Sequence, residues 1–185
     1  MLTCAELIKE KYPYAVTVFI GPCIAKKVEA REHRETINYV LSFEEIMCML
    51  EGKDIKFAEM SGDAAYERDA SKLGLSFPLT AGVSAAVQDT VAAMGGEVHN
   101  AQYCSGLDKC RDTVKAAAAG KLDCSYIEGM ACPNGCIDGP DTVGDFHITK
   151  VALTKYAAAA PNKQAAQDKH TKIIIKVPTP FLSCR

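Results

Sequence analysis

Two cysteines with three residues between them stand in Glu128-Gly129-Met130-Ala131-Cys132-Pro133-Asn134-Gly135-Cys136. Pro133 and Gly135 argue against a helix and for a tight loop with exposed backbone N–H groups. Such loops suit iron–sulfur clusters, because N–H donors stabilise the charge on sulfur. A third thiol, Cys23, lies in Gly21-Pro22-Cys23-Ile24-Ala25-Lys26-Lys27-Val28-Glu29. Both loops follow apolar runs. Three thiols at two strand-to-loop exits describe a metal cradle. Lys26, three residues past Cys23, can return to the thiolate's face in a turn, and a buried anionic metal unit needs such a cation.

Other readings of these residues are weaker. A Cys-x3-Cys pair also opens the radical-SAM pattern, but that pattern needs a cysteine where Gly139 stands. Zinc sites favour Cys-x2-Cys or Cys-x4-Cys with a matching second pair, and none is present. Free cysteines are often small buried hydrophobes. That reading suits Cys48, Cys104, Cys110 and Cys124, which lie within helix or strand patterns, and Cys4 and Cys184 near the ends. For Lys26 and Lys27 the plain alternative is a solvated pair, and Glu29 either orients one of them or faces solvent.

The elements that must position these residues alternate between strand and helix. Thr3-x-x-Glu6 is a capping box opening a helix that stops before Pro13. Ala15 to Ile20 predicts a buried strand running into the first cysteine loop. Ile37 to Leu41 predicts a strand, and Ser42-x-x-Glu45 caps a helix stopped by Gly52. Ile55 to Glu59 predicts a strand, and Ser61 to Ser76 a loop. Ala81 to Met94 predicts a helix with Gly95-Gly96 as its stop. Val98 to Cys104 predicts a strand, and Ser105-x-x-Asp108 opens a helix running to Gly120. Leu122 to Ile127 predicts the strand that delivers the second cysteine loop. Ile148 to Ala160 predicts a helix, Lys172 to Val177 a strand, and 178–185 a tail. This alternation predicts an α/β fold with a mainly parallel sheet flanked by helices. In such sheets the carboxyl ends of strands hold the ligand, where both cysteine loops fall.

Composition agrees with a globular domain or a large piece of one. The 185 residues are 48% apolar and 24% charged, with a net charge of −2. No basic stripe points to nucleic acid, and no apolar run is long enough for a membrane span. Nine cysteines without an export signal predict reduced or metal-bound thiols in the cytoplasm, not a disulfide framework.

The two loops together resemble the catalytic domain of the iron-only ([FeFe]) hydrogenases. That family carries Pro-Cys-x-x-Lys-Lys-x-Glu, matched by Pro22 to Glu29. It also carries Glu-x-Met-x-Cys-x-Gly-Gly-Cys, matched by Glu128 to Cys136 with Asn134 in place of the first glycine. The resemblance implies that Cys23 and Cys132 bind the [4Fe-4S] part of an H-cluster. Cys136 would bridge it to a two-iron subsite, Lys26 would hydrogen-bond a cyanide of that subsite, and Met130 would pack beside it. The implied activity is reversible oxidation of hydrogen to protons and electrons. Residues 1–177 would form the C-terminal part of a larger H-cluster domain. The remaining cluster cysteine, in a Thr-Ser-Cys-x-Pro motif, is expected upstream in the same polypeptide, and electrons would come from a ferredoxin-type carrier or domain. The isolated chain is accordingly expected to lack the cofactor and to be inactive, with a loosely held Cys132–Pro140 loop and with Lys26 turned to solvent or to Glu29 or Glu128. The alternatives are a non-catalytic hydrogen or redox sensor and an iron–sulfur assembly protein on the same scaffold.

Overall fold

The computed structural model describes residues 1–56, 59–60 and 70–164. The fold is α/β, and its strands pair in parallel. Among the described residues they make two two-stranded sheets rather than one continuous sheet. Each sheet is a strand–helix–strand unit, the minimal crossover that parallel pairing requires.

The first unit contains α1 (Leu2–Lys11), β1 (Val18–Ile20), α2 (Ala25–Glu32), β2 (Tyr39–Leu41) and α3 (Phe43–Glu51). Val18 pairs with Tyr39 and Ile20 with Leu41. Thr17 locks the start of this ladder: its hydroxyl donates to the Thr36 carbonyl at 2.6 Å, and its N–H donates to Asn38 Oδ1 at 2.9 Å. The Ser42 capping box forms as expected, with Ser42 Oγ and Glu45 each accepting the other's backbone N–H. Glu45 also pairs with Lys27 at 2.5 Å, which ties α2 to the start of α3.

The second unit contains α4 (Lys72–Leu75), α5 (Gly82–Ala93), β3 (Gln102–Ser105), α6 (Leu107–Ala118), β4 (Ile127–Met130), a 3-10 turn (Cys136–Asp138) and α7 (Phe146–Ala158). Gln102 pairs with Ile127 and Ser105 with Met130. Helix α4 packs on α5 and α7, α5 packs on β4, and α7 packs on the 3-10 turn. Among the described residues no helix is long and apolar enough to cross a membrane.

Several expected boundaries move. The Thr3 box does not form, because α1 begins at Leu2 and puts Thr3 inside the first turn. The Ser105 box fails because Ser105 stays in the β3 ladder, and Gly106 at φ +92° makes the turn into α6. The strand expected at Leu122–Ile127 lies at Ile127–Met130. The preceding residues are tied instead to the 99–100 turn, through Ser125 N–H to the His99 carbonyl and Asn100 Nδ2 to the Asp123 carbonyl. The strand expected over Ala15–Ile20 is shorter and not buried: Val18 and Ile20 are 48% and 46% exposed. A two-stranded sheet covered on one side leaves its other face open. No described residue between 55 and 60 is in a strand. The strand expected at Lys172–Val177 and the tail fall outside the described residues, as does most of the loop expected at Ser61–Ser76.

Candidate metal centre

Each cysteine loop leaves the carboxyl end of a strand. After β1, Gly21 N–H continues the ladder by donating to the Leu41 carbonyl at 3.0 Å. Cys23 follows, and its carbonyl accepts from Lys26 N–H at 3.1 Å. The chain then enters α2 directly, because Ala25-Lys26-Lys27-Val28-Glu29 is a run dominated by strong helix formers. The turn expected after Cys23 is a helix from Ala25 onward. Its being a helix puts Lys26 and Glu29 one turn apart, and their side chains pair at 2.5 Å. Glu29 also accepts from Leu2 N–H at 3.4 Å. Of the two carboxylates expected for Lys26, Glu29 is the partner.

The second loop is a sequence of fixed turns. Gly135 N–H donates to the Cys132 carbonyl at 3.2 Å. Pro133 and Asn134 are the two central residues of that turn, and Asn134 has φ +63°. Proline followed by a residue of positive φ is the pattern of a type II turn. Asparagine is one of the few residues other than glycine that tolerates this φ. Its exposed side chain donates to Asp138 Oδ2 at 2.9 Å. The substitution of Asn134 for the family glycine therefore meets a backbone-angle requirement, not the close approach expected from the motif. The close approach is at Gly135, where φ is +91° and an added Cβ would lie 2.5 Å from the Pro78 carbonyl oxygen. Gly135 also bridges to Leu79. The loop expected to be loosely held is thus tied at several points.

The two loops touch. A Cβ on Gly139 would lie 2.4 Å from the Pro22 carbonyl oxygen, next to Cys23. The thiols feel one another accordingly. Burial pushes the Cys132 thiol up, and negative charge at Cys23 and Asp138 pushes it further. The Cys136 thiol is raised by burial first, then by Cys23 and Cys132, while the Lys26 ammonium opposes the rise. Lys26 is therefore within the electrostatic reach of Cys136 as well as bonded to Glu29. Among the described residues no three His, Cys, Asp or Glu side chains are grouped tightly enough for one metal ion.

Glu128 has a role that the sequence did not reveal. It is 5% exposed. Its carboxylate accepts from Ala81 N–H at 2.9 Å and from Ser84 N–H at 2.6 Å, at the start of α5. Helix N-termini leave such donors unpaired and favour an anion. The charge also contributes, after burial, to raising the nearby Tyr126 hydroxyl. So the motif glutamate fastens β4 to α5, and no local spacing pattern could have shown a bond across 44 residues. Met130, at the end of β4, is buried, and its carbonyl accepts from Gly106 N–H at 2.9 Å. Cys124 precedes β4 and stands apart from the site, as a partly exposed free thiol.

Residues 1–140 match the family described as iron only hydrogenase large subunit, C-terminal domain. No curated protein matches the chain. Among solved structures it is similar to a variant of apo [FeFe]-hydrogenase HydA1 from Chlamydomonas reinhardtii, with a TM-score of 0.61 and 13% identity over 95% of this chain and 62% of that one. A second HydA1 variant from the same organism gives 0.60 and 13% over 95% and 63%. The HydA(deltaEFG) structure, described as revealing stepwise H-cluster assembly, gives 0.56 and 14% over 92% and 61%. At these identities the likeness is one of fold, and the chain spans less than two thirds of each of these structures. The family match takes in 140 of 185 residues, and the chain belongs to the iron-only hydrogenase large-subunit, C-terminal-domain family.

Proposed function

We propose that Cys23, Cys132 and Cys136 hold the [4Fe-4S] part of an H-cluster, with Cys136 also holding a two-iron subsite. The observation that carries this reading is the contact between the two cysteine loops at Gly139 and Pro22, which sets three thiols and one lysine in a common field. When bound, the group supplies the centre at which hydrogen interconverts with two protons and two electrons. The chain's own residues hold and tune it. The three thiols must lose their protons to become ligands, and burial makes those of Cys132 and Cys136 harder to lose, so metal binding itself drives their release. The Lys26 ammonium compensates the anionic group and donates toward its two-iron part, leaving Glu29 to orient the lysine. Met130 gives the same region an apolar wall. The remaining cluster ligand comes from an upstream part of the same polypeptide. Electrons pass to or from a ferredoxin-type carrier or domain in the cytoplasm.

Two measurements on the full-length protein test this. Iron and sulfide analysis should show the cube lost in Cys132→Ser and kept in Cys124→Ser; equal loss in both would remove the site assignment. Hydrogen uptake after supply of the two-iron subsite should then appear. A cube without any hydrogen uptake would identify a sensor or an assembly protein instead.

A further inference from the structure

Behind β4 lies a second pair of thiols that the metal site does not use. Cys104, at β3, and Cys110, in α6, bring their sulfurs to 3.5 Å. Cys104 Sγ donates to the Glu128 carbonyl at 3.4 Å, and Cys110 Sγ donates to the Met130 carbonyl at 3.3 Å. Gly129 lies between these two carbonyls, and a Cβ added there would meet Cys110 Sγ at 3.5 Å and Cys104 Sγ at 3.9 Å. Both sulfurs thus lie in van der Waals reach of the β4 backbone at Gly129. Cys104 is 8% exposed, yet it lines an open cleft of about 430 Å³ together with Thr80, Tyr103, Ser105 and Lys109.

We propose that Cys104 and Cys110 are a dithiol that a low-molecular-weight disulfide converts to an intramolecular disulfide. The cleft brings the small disulfide to Cys104, and with both Lys109 and Asp112 on its wall it suits one that carries carboxylates and ammonium groups together. The Cys104 thiolate attacks one sulfur of the disulfide, forming a mixed disulfide and releasing one thiol. Cys110, after losing its proton to solvent, attacks Cys104 Sγ and releases the second thiol. Two protein thiols are oxidised, and one small disulfide is reduced to two thiols. The sulfurs are already in contact, and the bond requires them to close to about 2.05 Å. Oxidation removes both S–H donors from the carbonyls of β4, the strand that ends at Met130 and delivers Cys132. The inference does not depend on the hydrogenase reading.

The test uses oxidised glutathione on the reduced full-length protein without oxygen. Remaining thiols are alkylated, and tryptic peptides are mapped without reduction. Lys109 separates the two cysteines, so their disulfide yields a covalently joined peptide pair. The expected result is loss of both free thiols into that pair, reversed by reduced glutathione. In Cys110→Ser, glutathione should remain attached to Cys104. The inference is overturned if Cys104 and Cys110 are both recovered alkylated while the exposed Cys4 and Cys48 carry glutathione. It is equally overturned if Cys110 joins a different cysteine, or if Cys104 keeps glutathione in the unsubstituted protein.

Discussion

Replacing Glu128 tests whether the motif glutamate acts through its bonds to α5. Its carboxylate accepts two backbone N–H groups at 2.9 and 2.6 Å from a site 5% exposed. Hydrogen bonds to a charged group contribute about 1.5–3 kcal/mol each. Glu128→Ala removes both acceptors and leaves two donors without partners, one of them buried, at a cost of about 3–5 kcal/mol. That is a large part of a typical domain's stability of about 5–15 kcal/mol, so the alanine variant is at risk of not folding. Glu128→Gln is the more readable change. It keeps one carbonyl acceptor, loses the charge, and points an amide donor at another donor. The expected loss is about 2–3 kcal/mol, which for a domain of this size lowers Tm by about 4–12 °C.

The assay is urea unfolding with thermal melting on the same samples, and amide hydrogen exchange as the local readout. In Glu128→Gln the midpoint should fall at unchanged m, and exchange at Ala81 or Ser84 should rise before the β4 amides do. A glutamine variant within about 0.5 kcal/mol of the parent, with both amides still protected, would refute the argument. It would mean that α5 is held without the carboxylate and that the motif needs the glutamate for another reason.

Three further outcomes follow from the loops and the Lys26 pair. Gly135→Ala should destabilise the chain by more than about 1–2 kcal/mol, because it adds left-handed strain to a clash with Pro78, whereas Asn134→Gly should change unfolding by about 1 kcal/mol or less; paired urea curves compare them. Gly139→Ala should drive the Pro22 and Cys136 loops apart, since its Cβ would sit 2.4 Å from the Pro22 oxygen; reduced iron retention in the full-length protein, with Cys124→Ser as the unaffected control, is the readout. The Glu29 carboxyl lies below its ordinary value of 4.5, chiefly through its hydrogen bond to Lys26. Its contribution is thus complete above that ordinary value and is lost as pH falls through the lowered folded value. For a pair this exposed it is about 1 kcal/mol or less, measurable as the part of the acid-induced fall in urea midpoint that Glu29→Gln abolishes.

The parts of this molecule legible in the sequence are those encoded by neighbours. The Ser42 and Glu45 box was readable because both partners lie within one turn of helix. The placement of both cysteine loops was readable because each apolar run ends where turn residues begin. The failed boxes show the limit of that reasoning. Thr3 and Ser105 have the right spacing, but α1 begins two residues too early for one, and the β3 ladder holds the other. β4 was placed too early for a similar reason. Leu122 to Ile127 is the more apolar stretch, yet the register with β3 selects Ile127 to Met130.

What the sequence hid is the set of contacts that brings the two loops together. The nearness of Gly139 to Pro22 joins positions more than a hundred residues apart, and so neither glycine nor proline announces it. The same holds for Glu128. Read locally it is a charged residue beside a cysteine loop, and pairing with Lys26 is its natural assignment. The fold gives it a different task, because two N–H groups at the start of α5 need an anion more than the half-exposed lysine does. Lys26 is then left to Glu29 and to the field of Cys136. The second motif thus divides between its ends: the cysteines lie on the loop that meets the first one at Gly139, and the glutamate holds the strand that presents them.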